Sequence, residues 1–140
     1  MKLNEFAAEV HALAVEKGWW EPAPSFPEVI TMIHCELSEA IQEYREGAPN
    51  VYFPCLAASE NKVPCGGKET INCYNFKHGN SAEDCTYRGS KPEGVAVELA
   101  DAILRILDYC AFAGIDIESV LEMKHEYNKG REYRHGGKLI

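Results

Sequence analysis

Two parts of the sequence place carboxylates three or four residues apart beside an apolar stripe of helical period. In the stretch HCELSEAIQEYREG, the side chains of Glu36, Glu39 and Glu43 fall on one side of a helix. In VELADAILRILDYC, Glu98 and Asp101 flank the apolar residues in the same way. Like charges at this spacing repel each other by about 0.2–0.5 kcal/mol per pair. Each stripe therefore predicts either a solvated face or a bound cation, and one such pair by itself favours the solvated face.

Helical periodicity recurs in four segments and predicts an all-α fold with a four-helix bundle-like core. The predicted helices cover, to within a residue or two at each end, 3–17, 26–45, 94–113 and 117–129. Asp116 is placed to cap the fourth helix. The predicted core stripe of the second helix consists of Ile30, Ile33, Leu37, Ala40, Ile41 and Tyr44. That of the third helix consists of Leu99, Ala102, Ile103, Ile106 and Cys110.

Composition and charge narrow the class of protein. A chain of 140 residues with 46% hydrophobic content suits one globular domain, predicted over residues 1–140. The net charge of −8 disfavours nucleic acid as a partner and suits cations. No apolar run reaches the ~20 residues that cross a bilayer, so no membrane association is expected. Because acidic residues interrupt the N-terminal apolar pattern, we expect no signal peptide and a cytoplasmic protein.

Residues 48–93 follow neither the helical nor the strand period and are predicted to form a cysteine-rich insertion between the second and third helices. Four cysteines in this segment, with His78 as a spare ligand, allow a structural zinc site, although the CxxC spacing typical of zinc knuckles is absent. Unligated thiols are an equal alternative, and disulfides are disfavoured in a reducing compartment. The four cysteines are Cys55, Cys65, Cys73 and Cys85.

The fourth helix changes character along its apolar stripe. The stripe begins with Ile117 and Leu121 and continues as Lys124, Asn128 and Arg131, where a buried helix would carry leucine or valine. A solvated helix end with cations near its C-terminus explains this pattern when it is considered alone. Beside four clustered carboxylates, the pattern favours binding of a polyphosphate, with a metal bridging the phosphate oxygens and the cations neutralising the remaining charge. The reaction class indicated is metal-assisted hydrolysis of a phosphoanhydride.

The sequence resembles the MazG-like all-α nucleoside triphosphate pyrophosphohydrolases, whose signature is ExxE on one helix and ExxD on the next. The resemblance is carried by Glu36-Leu-Ser-Glu39, by Glu98-Leu-Ala-Asp101, and by GWW, HCELSEAIQEYREG, VELADAILRILDYCAFAGIDIE and KHEYNKGREYRHGGK. It covers about two thirds of the chain and fails in the insertion, since 58 residues separate Glu39 from Glu98. That departure suggests that the insertion covers the site or sets substrate choice.

The resemblance implies an activity and roles for residues. The four signature carboxylates would be catalytic and would bind Mg²⁺ or Mn²⁺, while Lys124, Asn128 and Arg131 would contact the phosphates. The substrate would be a nucleoside or deoxynucleoside triphosphate, cleaved to the monophosphate and pyrophosphate by a homodimer or homotetramer. Trp19, Trp20 and His34 would help to hold the base; the alternatives are core packing for at least one tryptophan and a helix-surface role for His34.

Two other functions compete with this interpretation. A di-iron carboxylate bundle needs two ExxH motifs, whereas this chain has one candidate, Glu122-Met-Lys-His125. A non-catalytic regulatory protein would keep the fold and bind a metal or a partner through the cysteine-rich insertion. The acid quartet argues against the second alternative, because a binding module has no need of it.

Overall fold

The computed structural model describes residues 2–53 and 91–133, and these residues form four α-helices. No strand occurs within these two ranges; their one extended pairing is an antiparallel bridge between Tyr52 and Glu93. The helical class and all four helix positions predicted from periodicity are therefore confirmed. None of the described helices is both long enough and apolar enough to span a bilayer. The helices are α1, Leu3–Glu16; α2, Phe26–Arg45; α3, Val95–Phe112; and α4, Ile117–Lys129.

The described residues divide into two compact units. One contains residues 2–25 and 104–133, with α1, the C-terminal half of α3, and α4. The other contains residues 26–53 and 91–103, with α2 and the N-terminal half of α3. The carboxylates of both acidic pairs belong to the second unit, so this unit carries the candidate site.

Helix α2 ends at a glycine in a left-handed conformation. Gly47 has a φ of 69°, and the Ala48 N–H beyond it donates to the Glu43 carbonyl oxygen at 3.0 Å. This six-to-one bond satisfies a carbonyl that the helix itself leaves without a partner. The same bond closes α1, from Trp19 N–H to the Ala14 carbonyl at 3.0 Å. Glycine positions in the sequence therefore predict where the helices end.

In the first unit, side chains at the N-termini of α1 and α4 form hydrogen bonds that cap both helices. The Asp116 carboxylate accepts the Ser119 N–H at 3.1 Å, which confirms its predicted role as the cap of α4, and it also accepts the Asn4 side-chain amide at 2.7 Å. The hydrogen bonds from Asn4 and Ser119 lower the pKa of Asp116 to about 2. Conversely, the Asn4 backbone N–H in the first turn of α1 donates to Glu118 at 3.1 Å. The Glu118 N–H in turn donates to the Asn4 side-chain oxygen at 3.4 Å, so α1 and α4 each cap an N–H group of the other.

A second polar contact of this unit joins α1 to α3. His11 Nδ1 lies 2.7 Å from Asp108 Oδ1, and the Trp20 indole N–H donates to the same oxygen at 3.0 Å. Because an ionised carboxylate can only accept, His11 carries its proton on Nδ1. The Trp20 ring stacks on Phe112 at 4.2 Å and meets the His11 ring edge-on at 4.9 Å. Asp108 therefore fixes both the imidazole and the indole.

The predicted core stripes of α2 and α3 are only partly buried. Ala40, Ala102 and Cys110 are buried, but the larger apolar residues of both stripes are not. Ile41 is 60% exposed and Ile103 is 54% exposed. The burial predicted for these stripes is therefore confirmed for their small residues and wrong, in the single chain, for most of their large ones. The exposed members are Ile30, Leu37, Ile41 and Tyr44 on α2, and Leu99, Ile103 and Ile106 on α3.

We predict that Asp108→Ala destabilises the protein by about 1–3 kcal/mol, because it leaves the His11 and Trp20 N–H groups without their acceptor in a part-buried setting. Urea unfolding followed by tryptophan fluorescence measures the loss. Asp108→Asn keeps one acceptor oxygen and should lose clearly less. Equal stability of the alanine variant and the wild type would contradict this role for Asp108.

Candidate metal centre

Three carboxylates from two helices converge in the second unit. One oxygen each of Glu36, Glu98 and Asp101 can be chosen so that all three lie within 4.8 Å of one another. Glu36 comes from the middle of α2, while Glu98 and Asp101 come from the first two turns of α3. Residues far apart in sequence are thus brought together as the paired acidic stripes suggest. We call these three residues the acidic trio.

Burial distinguishes the acidic trio from a solvated charged face. Glu36 is 6% exposed and Glu98 is 7% exposed, and Asp101 is half-buried. On each helix the buried glutamate is followed four residues later by a buried alanine, Ala40 on α2 and Ala102 on α3. Residues four apart lie on the same face of a helix. At the acidic trio, the inward face of each helix therefore carries a glutamate and, one turn later, an alanine. The small alanine side chain leaves room for the carboxylate.

The electrostatic environment of Glu98 is unfavourable for a negative charge. Burial raises the pKa of the Glu98 carboxyl, and the neighbouring charges of Glu39, Asp101 and Glu36 raise it further. Lys91 opposes this shift and is the weakest of these influences. A buried carboxylate surrounded by other carboxylates is destabilised unless a proton or a cation compensates it.

The donor set of the acidic trio fits a hard divalent cation. All three ligands are carboxylate oxygens, which suits Mg²⁺ or Mn²⁺ rather than zinc or a di-iron centre, both of which commonly take histidine. Around an octahedral Mg²⁺, adjacent ligand oxygens lie about 3 Å apart and opposite ones about 4.2 Å apart. The three carboxylate oxygens, all within 4.8 Å of one another, would therefore move closer together to bind one ion. Glu36, Glu98 and Asp101 therefore fit the predicted metal.

Glu39, the fourth predicted carboxylate, occupies a different position. It is not a member of the acidic trio and its side chain is exposed. Its charge nevertheless raises the pKa of Glu98 more than that of any other residue does. Glu39 therefore lies at the edge of the trio, open to solvent on one side.

The residues predicted to contact phosphate belong to the first unit and lie on or just beyond α4. Lys124, Asn128 and Arg131 are all exposed. Lys124 Nζ lies 5.0 Å from the centre of the Tyr127 ring, and the Arg131 guanidinium carbon lies 5.8 Å from it. The two cations thus share one aromatic ring, an arrangement that holds their side chains near each other.

The predicted base-binding residues differ in their surroundings. Trp20 is half-buried, with its N–H bonded to Asp108 and one face stacked on Phe112, so these groups are already engaged within the chain. His34 is exposed on α2, and its carbonyl accepts the Ser38 hydroxyl at 2.9 Å.

The predicted zinc ligands Cys55, Cys65, Cys73 and Cys85 lie outside the described residues, as does His78. Of the insertion predicted over residues 48–93, the described parts are its two ends, 48–53 and 91–93.

Other polar residues of this structure were not singled out by sequence reasoning. His11 and Asp108 form a pair across 97 positions of the chain, and no motif in the sequence links the two. Tyr52 and Glu93 lie at the two ends of the segment without periodicity, where no pattern predicts a contact. The sequence shows His11 and Asp108 as single polar residues within apolar stripes, and this pattern does not indicate which residue each one contacts.

Comparison of the chain with protein-family models, with curated proteins and with solved structures gave no match. The MazG-like resemblance is therefore carried by the sequence motifs alone, and the activity that it implies stays a prediction. The geometry of the acidic trio is an independent observation on the same residues.

We predict that replacing Glu98 by glutamine changes how stability depends on pH in the absence of divalent cations. A pKa raised on folding means that protonated Glu98 favours the folded state below about pH 4.5, and that this contribution is lost as the pH rises through the folded-state pKa. Glutamine stays neutral and escapes that loss. The unfolding free energy of Glu98→Gln minus that of the wild type should therefore increase with pH.

Urea titrations at a series of pH values in the presence of a chelator measure this difference. A difference that stays constant across the series would show that Glu98 is not destabilised in the folded protein.

Proposed function

We propose that this chain is a Mg²⁺- or Mn²⁺-dependent pyrophosphohydrolase of the MazG-like type. It would convert a nucleoside or deoxynucleoside triphosphate to the monophosphate and pyrophosphate. The observation that carries the proposal is the convergence of Glu36, Glu98 and Asp101 from two helices, with both glutamates buried. Burying carboxylates together is unfavourable for stability, and a cation-dependent function explains why a sequence would retain such an arrangement.

Glu36, Glu98 and Asp101 would hold the metal in this proposal. Three ionised carboxylates exceed the charge of one divalent cation, so the loaded site would keep a net negative charge and would not attract phosphate by itself. When bound, the metal would polarise the phosphate oxygens and offset the charge that develops in the transition state. Because both glutamates are buried, few waters would compete with their carboxylates for the metal.

Glu39 is suited to hold the attacking water. It is exposed, so a water can reach it, and it lies near enough to Glu98 to raise that residue's pKa. A carboxylate at the rim of a metal cluster can orient a water and accept its proton. By the resemblance Glu39 also belongs to the metal-binding quartet, and both roles require its carboxylate.

Lys124, Asn128 and Arg131 would bind the phosphates. Their exposure leaves the cationic groups accessible, and their contact with the Tyr127 ring keeps Lys124 and Arg131 close to each other. A lysine and an arginine together supply the positive charge that three carboxylates cannot give to a polyphosphate. The substrate, a nucleotide, is a cytoplasmic metabolite, and a cytoplasmic location is part of the proposal.

A homodimer or homotetramer is also part of the proposal. The second unit exposes a row of large apolar side chains on α2 and α3, which in water is unfavourable. A second copy of the chain would cover the row. We call these residues the apolar row: Leu37, Ile41, Tyr44, Leu99 and Ile103.

We predict that Ile41→Lys shifts the protein towards the monomer mass of 15.6 kDa, because the variant would bury an unpaired charge in the subunit contact. Light scattering after size exclusion measures the mass. Leu13→Lys is the control, since Leu13 is 55% exposed on α1 and lies outside the apolar row. A wild-type protein that is already monomeric at micromolar concentration would contradict the proposed assembly.

We predict that Glu36→Gln lowers kcat/KM by about 100-fold or more, because it removes a charged metal ligand whose contribution amounts to several kcal/mol. The assay incubates purified protein with Mg²⁺ and a panel of canonical and modified triphosphates, and measures monophosphate and pyrophosphate together. Equal amounts of both products from the wild type are expected.

The matched control for this assay is Glu46→Gln, which removes an exposed carboxylate immediately after α2 and should keep full activity. Release of orthophosphate would place cleavage at the γ-phosphate and contradict the proposed reaction. No turnover of any triphosphate by a folded wild type would favour the non-catalytic binding protein.

A further inference from the structure

The chain leaving α2 returns to the start of α3 through closely packed backbone. Tyr52 and Glu93 exchange two N–H to carbonyl bonds, both 2.9 Å long, and the Ala96 N–H donates to the Asn50 carbonyl at 2.9 Å. Gly94 has a φ of 117°, and a Cβ there would lie 2.5 Å from the Pro49 carbonyl oxygen. Only glycine permits this approach. The two ends of the long connection between the helices are therefore joined at the entry to α3.

The Tyr52 side chain adds a contact between the C-terminal end of α2 and the segment that leads into α3. Its ring is 1% exposed, and its hydroxyl lies 3.3 Å from a Glu43 oxygen and 3.3 Å from a Glu93 oxygen. Burial raises the pKa of the phenol, and the charges of Glu43 and Glu93 add to the shift, so the hydroxyl keeps its proton. We call Glu43, Tyr52 and Glu93 the tyrosine clamp.

Within the clamp, Glu43 depends on the phenol. Its other carboxylate oxygen is buried and makes no hydrogen bond within the part of the chain that the structure describes. A buried carboxylate with one unbonded oxygen is costly, so the remaining donor matters more than a surface hydrogen bond would. Without the hydroxyl, two carboxylates would face an apolar ring edge and repel each other.

The clamp stands close in sequence to every member of the acidic trio. Glu43 lies two helical turns after Glu36 on α2, and Glu93 lies five residues before Glu98. A shift of Glu43 relative to Glu93 therefore moves the helix that carries Glu36 relative to the one that carries Glu98. Partners that hydrogen-bond metal ligands directly alter metal affinity by about 10–100-fold, and a residue that acts one step further out should have an effect at the lower end of that range.

We infer that Tyr52 is a positioning residue for the acidic trio: by joining Glu43 to Glu93 it holds α2 and the start of α3 at the spacing that a divalent cation requires. The inference rests on the proposed function, since it assumes that the acidic trio binds a metal. It assigns to Tyr52 no contact with metal or substrate. Its effect is on the affinity for metal and on the metal concentration needed for half-maximal activity.

The test compares Mn²⁺ binding by the full chain and by Tyr52→Phe, using the electron paramagnetic resonance signal of free Mn²⁺. Tyr52→Phe removes the hydroxyl and keeps the ring, and its Kd for Mn²⁺ should rise about 10-fold. Tyr133→Phe makes the same change at a tyrosine that is 86% exposed and belongs to the first unit, and its Kd should stay within two-fold of the wild type. Circular dichroism confirms that the compared proteins are folded.

A second variant removes the same hydrogen bond by changing its acceptor, Glu43, instead of its donor, Tyr52. Glu43→Leu removes the acceptor and leaves Tyr52 intact, so it should weaken Mn²⁺ binding to a similar extent. In the double variant the two effects should not multiply, because both remove one contact. If Tyr52→Phe does not fold, Glu43→Leu alone carries the test.

Activity separates positioning from a purely structural role. High Mg²⁺ should restore the kcat of Tyr52→Phe, since the defect is one of affinity. Unchanged Mn²⁺ affinity in both single variants, or a kcat that saturating metal does not restore, would overturn the inference and leave the proposed function standing. A folded wild type that binds no Mn²⁺ would overturn the proposed metal site and the inference together.

Discussion

The mutual repulsion of buried carboxylates is the constraint on which the second unit depends. Glu36 and Glu98 are almost fully buried, and an oxygen of each can be chosen within 4.8 Å of the other. Burial and the surrounding charges both raise the pKa of Glu98, so the two effects act in the same direction. Other contacts of the chain must offset this cost when no metal ion is bound. In the proposed function, a bound metal would let the same carboxylates join the two helices.

The residues around the acidic trio are consistent with that constraint. Ala40 and Ala102 supply small side chains one turn after each buried glutamate, which leaves the space beside them for carboxylates. Tyr52 places a neutral donor where Glu43 and Glu93 would otherwise repel each other. Repulsion between carboxylates is thus reduced by the Tyr52 phenol at Glu43 and Glu93 and, in the proposed function, by a metal at the acidic trio.

The sequence predicts the helices well because their signals are local. Asp116 at the start of α4 and Gly47 after α2 act through hydrogen bonds to residues three to five positions away, which any helix end requires. Burial is less predictable, since it depends on what covers a helix rather than on its own period. Ile41 and Ile103 fit a core stripe by spacing, yet both are exposed, whereas Glu36 is buried. A period identifies an apolar face but does not say whether the same chain covers it.

The same distinction between local and long-range signals explains which site residues were predictable. Glu36, Glu98 and Asp101 are marked by spacing within their own helices, so the sequence names them before their meeting is known. Tyr52 has no such mark, because its importance arises from two carboxylates, nine positions before it and 41 positions after it. The carboxylates proposed to bind the metal are spaced with the helical period, which the sequence shows. A residue that positions them, such as Tyr52, is identified only by its tertiary contacts. The carboxylates of the candidate site are therefore easier to identify from the sequence than the contacts that position them.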